Sequence, residues 1–279
     1  MMKMKKVLAL IGCLVLLAAL AGCGTKEGTD TDNAKKTAAE PEKLVVGATS
    51  KPHAEILKVV KPILEKENVD LEIKEFTDYV LLNPSLKDGQ IDANYFQHIP
   101  YLEEYNEKNN ANLVWTVKVH TEPMGVYSKE ITSLDKLADG ASVGIPNDAT
   151  NGGRALAVLE KAGLLKLKEG AGITATDQDI AENPKNLQIK LMDAAILPRS
   201  LEDLDLCVIN SNYALEADLN PVNDSLFIED KESPFANVLA VRPEDKDKEA
   251  IKKLGEALQS QEVKEFLEDK YQGSCIPAF

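Results

Sequence analysis

Residues 146–156 read Pro-Asn-Asp-Ala-Thr-Asn-Gly-Gly-Arg-Ala-Leu and directly follow a short apolar run at residues 141–145. Three turn-forming residues open this stretch, and Asp148 or Thr150 can cap a helix that carries Arg154 in its first turn. A helix start presents unpaired N–H groups and a partial positive charge, the two glycines leave room for a ligand, and a guanidinium suits a carboxylate. The stretch therefore predicts a strand–turn–helix unit that binds a small anion. An ordinary capped helix with a surface arginine is the alternative.

On both sides of this unit, apolar runs of strand length alternate with segments of helical spacing. The candidate strands lie at Leu44–Ala48, Leu71–Phe76, Ile91–Phe96, Ala141–Ile145, Leu187–Leu191, Leu206–Ile209 and Val238–Val241. Alternating strands and helices are typical of parallel sheets covered by helices on both faces. The rhythm breaks over residues 113–127 and then restarts, which predicts an α/β protein of two lobes, each a mostly parallel sheet flanked by helices.

Two Pro-led strands, after Glu122 and after Ser233, are the places where the chain can cross between the lobes. We therefore expect one lobe to comprise residues 43–122 plus 238–279, and the other to comprise residues 123–237. Ligands of open α/β sheets bind outside the carboxyl ends of the strands. The cleft between the lobes is accordingly the expected binding site.

The N-terminus has the pattern of an export signal, with three lysines followed by the apolar run Val7–Leu20. This run is shorter than the about 20 residues that a membrane span needs. Leu-Ala-Gly-Cys at residues 20–23 resembles a bacterial lipobox, which implies removal of residues 1–22 and attachment of lipid, including an acyl chain such as palmitate, to Cys23. Polar residues up to 42 predict a disordered tether. A plain secreted protein and a single-span anchor are the alternatives.

Charge and cysteine content limit the possible partners. The formal charge is −14, and removal of residues 1–22, which hold three lysines and no acidic residue, would make it −17. Such a chain lacks the basic face that nucleic acid requires, so no nucleic-acid partner is expected. The presence of Cys207 and Cys275 does not imply a framework of disulfide bonds, and their spacing leaves open whether they pair with each other.

Aromatic residues are concentrated in the first half of the chain. Five of the thirteen Phe and Tyr residues fall between Phe76 and Tyr101. Because these residues follow the ends of candidate strands, they suit a pocket for an apolar side chain. Packing within the first lobe is the alternative for any one of them.

Signatures of enzymes and metal sites are weak. The chain has three histidines without paired spacing, so we expect no metal and interpret His53 and His120 as solvated or capping residues. A lipoprotein that captures metal with His98 and cleft carboxylates is the alternative function. The common nucleophile, phosphate-loop and zinc-protease motifs are missing, and a hydrolase would lack a recognisable nucleophile and base. We therefore expect neither an enzyme nor a cofactor.

Four segments together resemble the methionine-binding lipoproteins of ABC importers, the NlpA-type family. They are residues 91–102, 146–156, 197–201 and 230–234, which occur in the family's order. The resemblance implies a two-lobed periplasmic-binding-protein fold that closes on methionine and delivers it to a membrane permease with a cytoplasmic ATPase. It also implies a monomer, anchored by lipid at the extracytoplasmic face of the cell membrane.

The resemblance further implies roles for individual residues. Tyr79, Phe96 and His98 would surround the thioether of methionine. Arg154 would pair with the α-carboxylate, and Asn151 would form a hydrogen bond nearby. The remaining polar contacts would come from Asn210, Asn212 and Asn237. The chemistry is consistent, because a polarizable thioether gains from aromatic contact and a buried zwitterion needs charged and polar partners.

Two positions depart from the family pattern. Ile196 stands before Leu-Pro-Arg-Ser where a polar residue, often Gln, is expected, and Ala149 stands where Pro is frequent. If Ile196 faces the cleft, the preference between L-methionine, D-methionine and a methionine-containing peptide stays open.

Overall fold

The computed structural model describes residues 40–230 and 233–279, which belong to one compact unit. The expected signal peptide, the lipid-bearing Cys23 and almost all of the tether lie outside the described residues. Glu42, assigned to the tether from sequence, instead begins the first strand and pairs with Val69. Within the described ranges, none of the helices is long and apolar enough to cross a membrane.

The predicted strands are present close to their expected positions, since short apolar runs bounded by turn residues favour extended backbone, but the short strands at Lys166–Leu167, Ile180–Glu182, Phe227–Ile228 and Ile276–Pro277 were not predicted. In chain order they are β1 (Glu42–Thr49), β2 (Val69–Phe76), β3 (Ala93–His98), β4 (Val114–Thr121), β5 (Gly125–Tyr127), β6 (Ser142–Pro146), β7 (Lys166–Leu167), β8 (Ile180–Glu182), β9 (Gln188–Met192), β10 (Leu206–Ile209), β11 (Phe227–Ile228), β12 (Ala236–Val241) and β13 (Ile276–Pro277).

The helices connect these strands and cover the sheets. They are α1 (Glu55–Lys66), α2 (Leu82–Lys87), α3 (Ile99–Asn109), α4 (Ala149–Lys161), α5 (Leu197–Ser200), α6 (Ser211–Glu216), α7 (Glu249–Leu258) and α8 (Gln261–Tyr271). Short helical turns occur at Ser50–Ala54, Leu134–Lys136, Asp177–Asp179 and Pro243–Asp245. In α1, the spacing of Ile56, Val60 and Leu64 places apolar residues on one face, and all three are fully buried.

Two sheets form the two lobes, with strand orders β13-β4-β12-β3-β1-β2 and β11-β5-β10-β6-β9, and β7 pairs separately with β8. The expected two-lobed α/β class is confirmed, but the expectation of mostly parallel sheets was wrong. β1 runs parallel to β2 and β3, whereas β12 runs antiparallel to both β3 and β4. In the second sheet β6 is parallel to β9 and β10, whereas β5 is antiparallel to β10 and β11. The two strands that follow the crossings, β5 and β12, run in the opposite direction because the chain arrives there from the other lobe rather than through a crossover helix.

The chain passes between the sheets twice. It leaves β4 of the first sheet at Thr121 and enters β5 of the second at Gly125; it leaves β11 at Ile228 and re-enters the first sheet at Ala236. The domain bounds inferred from sequence stay a prediction, and the second of them, between residues 237 and 238, falls inside β12.

Each sheet has its own apolar core. Helices α1, α7 and α8 pack on the first sheet, and α4 packs on the second through Leu156 and Leu159. Cys207 lies in β10 of the second sheet and Cys275 in the first core, and both are free thiols. Cys207 and Cys275 therefore do not form a disulfide bond with each other, because they lie in separate parts of the structure.

We expect neither thiol to react in the native protein. Both side chains are buried, and burial raises the pKa of Cys207 to about 12 and the pKa of Cys275 well above its usual value. The thiolate is the reactive form, so attack requires unfolding. Alkylation of the native chain followed by peptide mass spectrometry should leave both peptides unmodified, while alkylation in urea modifies both. Rapid labelling of either peptide without denaturant would contradict this packing.

Candidate functional site

The helix start predicted from the opening stretch is present. Asp148 is the N-cap of α4, and its carboxylate accepts the backbone N–H of Asn151 at 2.9 Å. The side-chain amide of Asn151 donates to both carboxylate oxygens of Asp148, at 3.0 and 3.1 Å. Because α4 begins at Ala149, Arg154 is its sixth residue and lies in the second turn, so the expected position in the first turn was wrong.

The two glycines of α4 serve a different purpose from the one inferred from sequence. A Cβ at Gly152 would lie 2.9 Å from the carbonyl oxygen of Pro146, and one at Gly153 would lie 2.8 Å from the backbone nitrogen of Ala175. Neither position faces open space. The glycines allow α4 to pack closely against neighbouring backbone, and they do not clear room for an anion.

Arg154 is buried rather than spread along the surface. Its Nε donates to both carboxylate oxygens of Glu229, at 3.2 and 3.1 Å, and a terminal nitrogen donates to Glu229 and to the backbone carbonyl of Glu122 at 2.6 Å. The guanidinium carbon lies 4.2 Å from the centre of the Phe235 ring. This excludes the surface-arginine alternative. Sequence reasoning missed Glu229, because among many acidic residues nothing local marks the one that a distant arginine contacts.

All eight residues named from the sequence line one cavity between the two lobes. Four come from the first lobe (Tyr79, Phe96, His98 and Asn237) and four from the second (Asn151, Arg154, Asn210 and Asn212). The cavity is also lined by Tyr101, one of the clustered aromatic residues, and by three residues that sequence reasoning did not select: Gln97, Glu122 and Ser211. Ile196 is not among the lining residues, and 42% of its surface is exposed.

One end of the cavity is aromatic. The ring centre of Tyr79 lies 5.7 Å from that of Phe96 and 5.9 Å from that of Tyr101 in the first lobe, and 4.8 Å from that of Tyr213 in the second. The Tyr79 hydroxyl donates to Asn212 Oδ1 at 2.5 Å. The aromatic wall therefore spans both lobes and suits an apolar, polarizable side chain.

His98 contributes a neutral ring to this wall. Its Nδ1 accepts the backbone N–H of Tyr101 at 3.1 Å, so its Nε2 carries the proton and donates to Asn151 Oδ1 at 3.1 Å. Burial, assisted by the positive charge of Arg154, lowers the pKa of His98 to about 3. Both ring nitrogens are engaged, so the geometry does not support a metal site built on His98.

The other end of the cavity is polar. Asn151 Oδ1 also accepts the side-chain amide of Asn210 at 2.8 Å. Asn210 Oδ1 and Asn212 Nδ2 are buried and have no hydrogen-bond partner within the described part of the chain. One free acceptor and one free donor, in a cavity that Arg154 also lines, match the two charged groups of an α-amino acid, because buried polar groups require partners.

A second polar cluster adjoins the cavity. His53, His120 and Glu122 are buried and their ligating atoms lie within 4.8 Å of one another, so the interpretation of both histidines as solvated or capping residues was wrong. His120 Nε2 lies 2.8 Å from Glu122 Oε1. Two ligands of a tetrahedral zinc ion would be about 3.3 Å apart, given bonds of about 2.0–2.1 Å. The short separation favours a direct hydrogen bond over a metal site.

With this geometry established, comparison with known proteins identifies the family. The model of the NlpA lipoprotein family matches residues 44–279. The chain belongs to the NlpA lipoprotein family. The match covers both sheets, the cavity between them and all eight lining residues named from the sequence.

Other NlpA lipoproteins resemble the chain over nearly its full length. The D-methionine-binding lipoprotein MetQ of Salmonella typhimurium is 42% identical over 274 residues, which cover 97% of each chain. The methionine-binding lipoprotein MetQ of Bacillus subtilis is 40% identical over 279 residues, covering 98% of this chain and 99% of the relative. The solved structure of a nutrient-binding protein from Burkholderia cenocepacia bound to methionine matches with a TM-score of 0.82 and 45% identity, covering 85% of this chain and 100% of that one. The resemblance stated from the motifs is thereby confirmed.

Proposed function

We propose that this chain is a lipid-anchored, extracytoplasmic binding protein that captures methionine and delivers it to an ABC importer. The observation that carries the proposal is one cavity, lined by both lobes, that combines Arg154 and unsatisfied asparagine groups with an aromatic wall. The methionine-binding names of several relatives, and the methionine in a related structure, support the choice of ligand.

The cavity offers a partner for each group of the amino acid. Arg154, with the free amide of Asn212, receives the carboxylate, since a guanidinium pairs well with carboxylates. Asn210 Oδ1 and the carboxylate of Glu122 accept the ammonium. Burial favours the neutral acid at Glu122, but His53, His120 and Arg154 outweigh it and hold the pKa of that carboxyl below its usual value. The thioether lies among Tyr79, Phe96 and His98.

The contacts of the groups that line the cavity agree with ligand binding rather than with catalysis. The hydroxyl of Ser211 donates to the carbonyl of Pro123, and the two nitrogens of His98 are occupied, so these residues do not form a nucleophile and base. The relatives with binding-protein names agree with a binding role. The metal-capturing alternative is not favoured, because those names specify methionine and His98 has no free nitrogen.

The membrane attachment and the transport partner follow from the family and the N-terminal motif. Lipidation at Cys23 would hold the protein at the outer face of the cell membrane, and the tether would let the monomeric folded body reach the permease and its ATPase complex. The lipoprotein names of the relatives support this part of the proposal. Mass spectrometry of the mature N-terminus tests it: a lipid-modified Cys23 is the expected result, and an unmodified N-terminus at any other residue contradicts anchoring.

Calorimetry on protein that has been unfolded and refolded, to remove any carried-over ligand, tests the binding function. We expect L-methionine to bind with a micromolar or lower Kd, about −8 kcal/mol or better, and to raise the thermal midpoint at saturation. Parallel titrations with D-methionine and methionyl dipeptides rank the ligands. If none of these compounds produces heat or a shift of the melting temperature, the assignment is wrong.

A further inference from the structure

A buried chain of hydrogen bonds connects two residues of the cavity to four residues behind it. Thr49, His53, Tyr95 and His120 do not line the cavity, and each is at most 1% exposed. Thr49 Oγ1 lies 2.7 Å from His53 Nδ1, and His53 Nε2 lies 3.0 Å from Asn237 Oδ1 and 3.3 Å from Glu122 Oε1. On the other side, the Tyr95 hydroxyl lies 2.6 Å from His120 Nδ1, and His120 Nε2 lies 2.8 Å from Glu122 Oε1.

The donors and acceptors of this chain have one consistent direction. An ionised carboxylate only accepts, so His120 donates to Glu122 from Nε2. The Thr49 and Tyr95 hydroxyls have no other hydrogen-bond partner in the part of the chain that the structure covers, and a buried O–H must donate. Each therefore donates to the Nδ1 of its histidine. These two hydroxyls hold His53 and His120 as the Nε2–H tautomers.

This direction determines what the two cavity residues present to a ligand. Asn237 Oδ1 accepts from His53, so the amide nitrogen of Asn237 is the group that remains to donate into the cavity. Glu122 Oε1 accepts from His120 and lies 3.3 Å from His53 Nε2, and Oε2 receives no hydrogen bond from the described residues and remains as an acceptor. A flipped Asn237 amide would turn an oxygen toward a ligand carboxylate, and a rotated Glu122 carboxylate would direct its free oxygen away from an ammonium.

The location of the network links it to the crossings between the lobes. Glu122 lies in the first crossing, directly after β4, and Asn237 lies in β12, directly after the second. The backbone carbonyl of Glu122 accepts from Arg154 at 2.6 Å. The same few residues therefore join both crossings to the helix that carries the guanidinium.

We propose that Thr49, His53, Tyr95 and His120 are positioning residues that orient Glu122 toward a ligand's α-ammonium and Asn237 toward its carboxylate. The inference rests on the proposed function and deepens it, because it specifies the substrate class. The site selects α-amino acids whose ammonium group is free, and it discriminates against compounds in which that group is missing or acylated, including peptides with methionine at the C-terminus.

The test compares L-methionine with 4-(methylthio)butanoic acid, which lacks only the ammonium, in refolded full-length protein. The Kd of the deaminated compound divided by the Kd of L-methionine is a ratio that measures how well the ammonium is recognised. Tyr95→Phe and Thr49→Val each remove a hydroxyl donor with little change in shape. We expect Tyr95→Phe, which acts through His120 on Glu122, to reduce the ratio at least tenfold, mainly through weaker L-methionine binding, with less than a threefold change for the deaminated compound. Thr49→Val acts through His53 on Asn237, so it should weaken both compounds by a similar factor of at least threefold, because both carry the carboxylate.

Two further variants separate positioning from general damage. Thr49→Ser keeps the donor and should restore the wild-type affinity for both compounds. Tyr271→Phe removes another buried tyrosine hydroxyl, which donates to Glu55 in the same core, and should leave the ratio unchanged. Melting temperatures of all variants show which of them fold.

Nitrogen-15 NMR of the three histidines provides a second readout that does not depend on ligand. Wild-type His53 and His120 should be Nε2–H tautomers, and Thr49→Val should change the signal of His53. Equal weakening of both compounds or an unchanged ratio in Tyr95→Phe, unchanged affinities in Thr49→Val, or Nδ1–H tautomers in the wild type would each overturn the inference. Failure of the proposed function gives a different result, since the wild-type protein would then bind neither compound.

Discussion

Replacing Arg154 by methionine is expected to abolish measurable methionine binding and to destabilise the fold at the same time. The ligand carboxylate loses its charged partner, which should cost about 2–5 kcal/mol of affinity, or roughly 30-fold to several thousand-fold in Kd. Glu229 simultaneously loses its partner while buried, and an unpaired buried charge typically costs about 3–5 kcal/mol of stability.

A second substitution distinguishes the two effects. In Arg154→Met combined with Glu229→Gln, no unpaired charge remains, so most of the stability should return while binding stays lost. Arg199→Met replaces an exposed arginine on α5 and serves as the control, with wild-type stability and affinity expected. Urea unfolding and calorimetry on refolded protein measure both quantities. Wild-type affinity in the double variant would mean that the carboxylate binds elsewhere.

The free energy of unfolding should fall between pH 6.5 and pH 5 in ligand-free protein, before most carboxylates titrate. Burial lowers the pKa of His53 from 6.5 to about 4 and the pKa of His98 from 6.5 to about 3. Below pH 6.5 the unfolded chain takes up protons that these two residues in the folded protein do not, so stability decreases as the pH falls toward the folded pKa values. The loss should be about 2 kcal/mol for each histidine at pH 5.

Urea titrations at half-unit steps from pH 7.5 to pH 5 measure this dependence. A His98→Asn variant lacks one of the two histidines whose pKa is lowered by burial, so its free energy of unfolding should depend about half as steeply on pH. A flat profile in the wild-type protein over this range would show that these two rings are accessible to protons in the folded state.

Much of the fold followed from local patterns in the sequence. Apolar runs of strand length, turn residues and a capped helix start depend on neighbours in the chain, so β6, β9, β10 and the start of α4 could be placed within a residue or two. The direction of the strands in the sheets could not be predicted, because β12 pairs with β3 and β4 through contacts between residues that are more than a hundred positions apart. Local sequence does not specify such pairing.

The candidate site shows the same division. Family motifs led to eight residues that line one cavity, but the contacts that support them were not foreseen. Glu229 reaches Arg154 across 75 positions, and His53 reaches Asn237 across 184. The role of Gly152 and Gly153 was misjudged because tight backbone packing and open space for a ligand both require glycine. Buried charges and histidines need partners, yet the sequence does not identify them.

A crystal structure of the refolded protein with L-selenomethionine tests the two-part site most directly. Selenium replaces the thioether sulfur and gives an anomalous signal at one atom, so its position in the cavity can be observed without assumptions about the ligand's orientation. The predicted result is a selenium peak among Tyr79, Phe96 and His98, with the carboxylate at Arg154. A peak beside Arg154, or outside the cavity, would contradict the assignment of the aromatic end to the side chain.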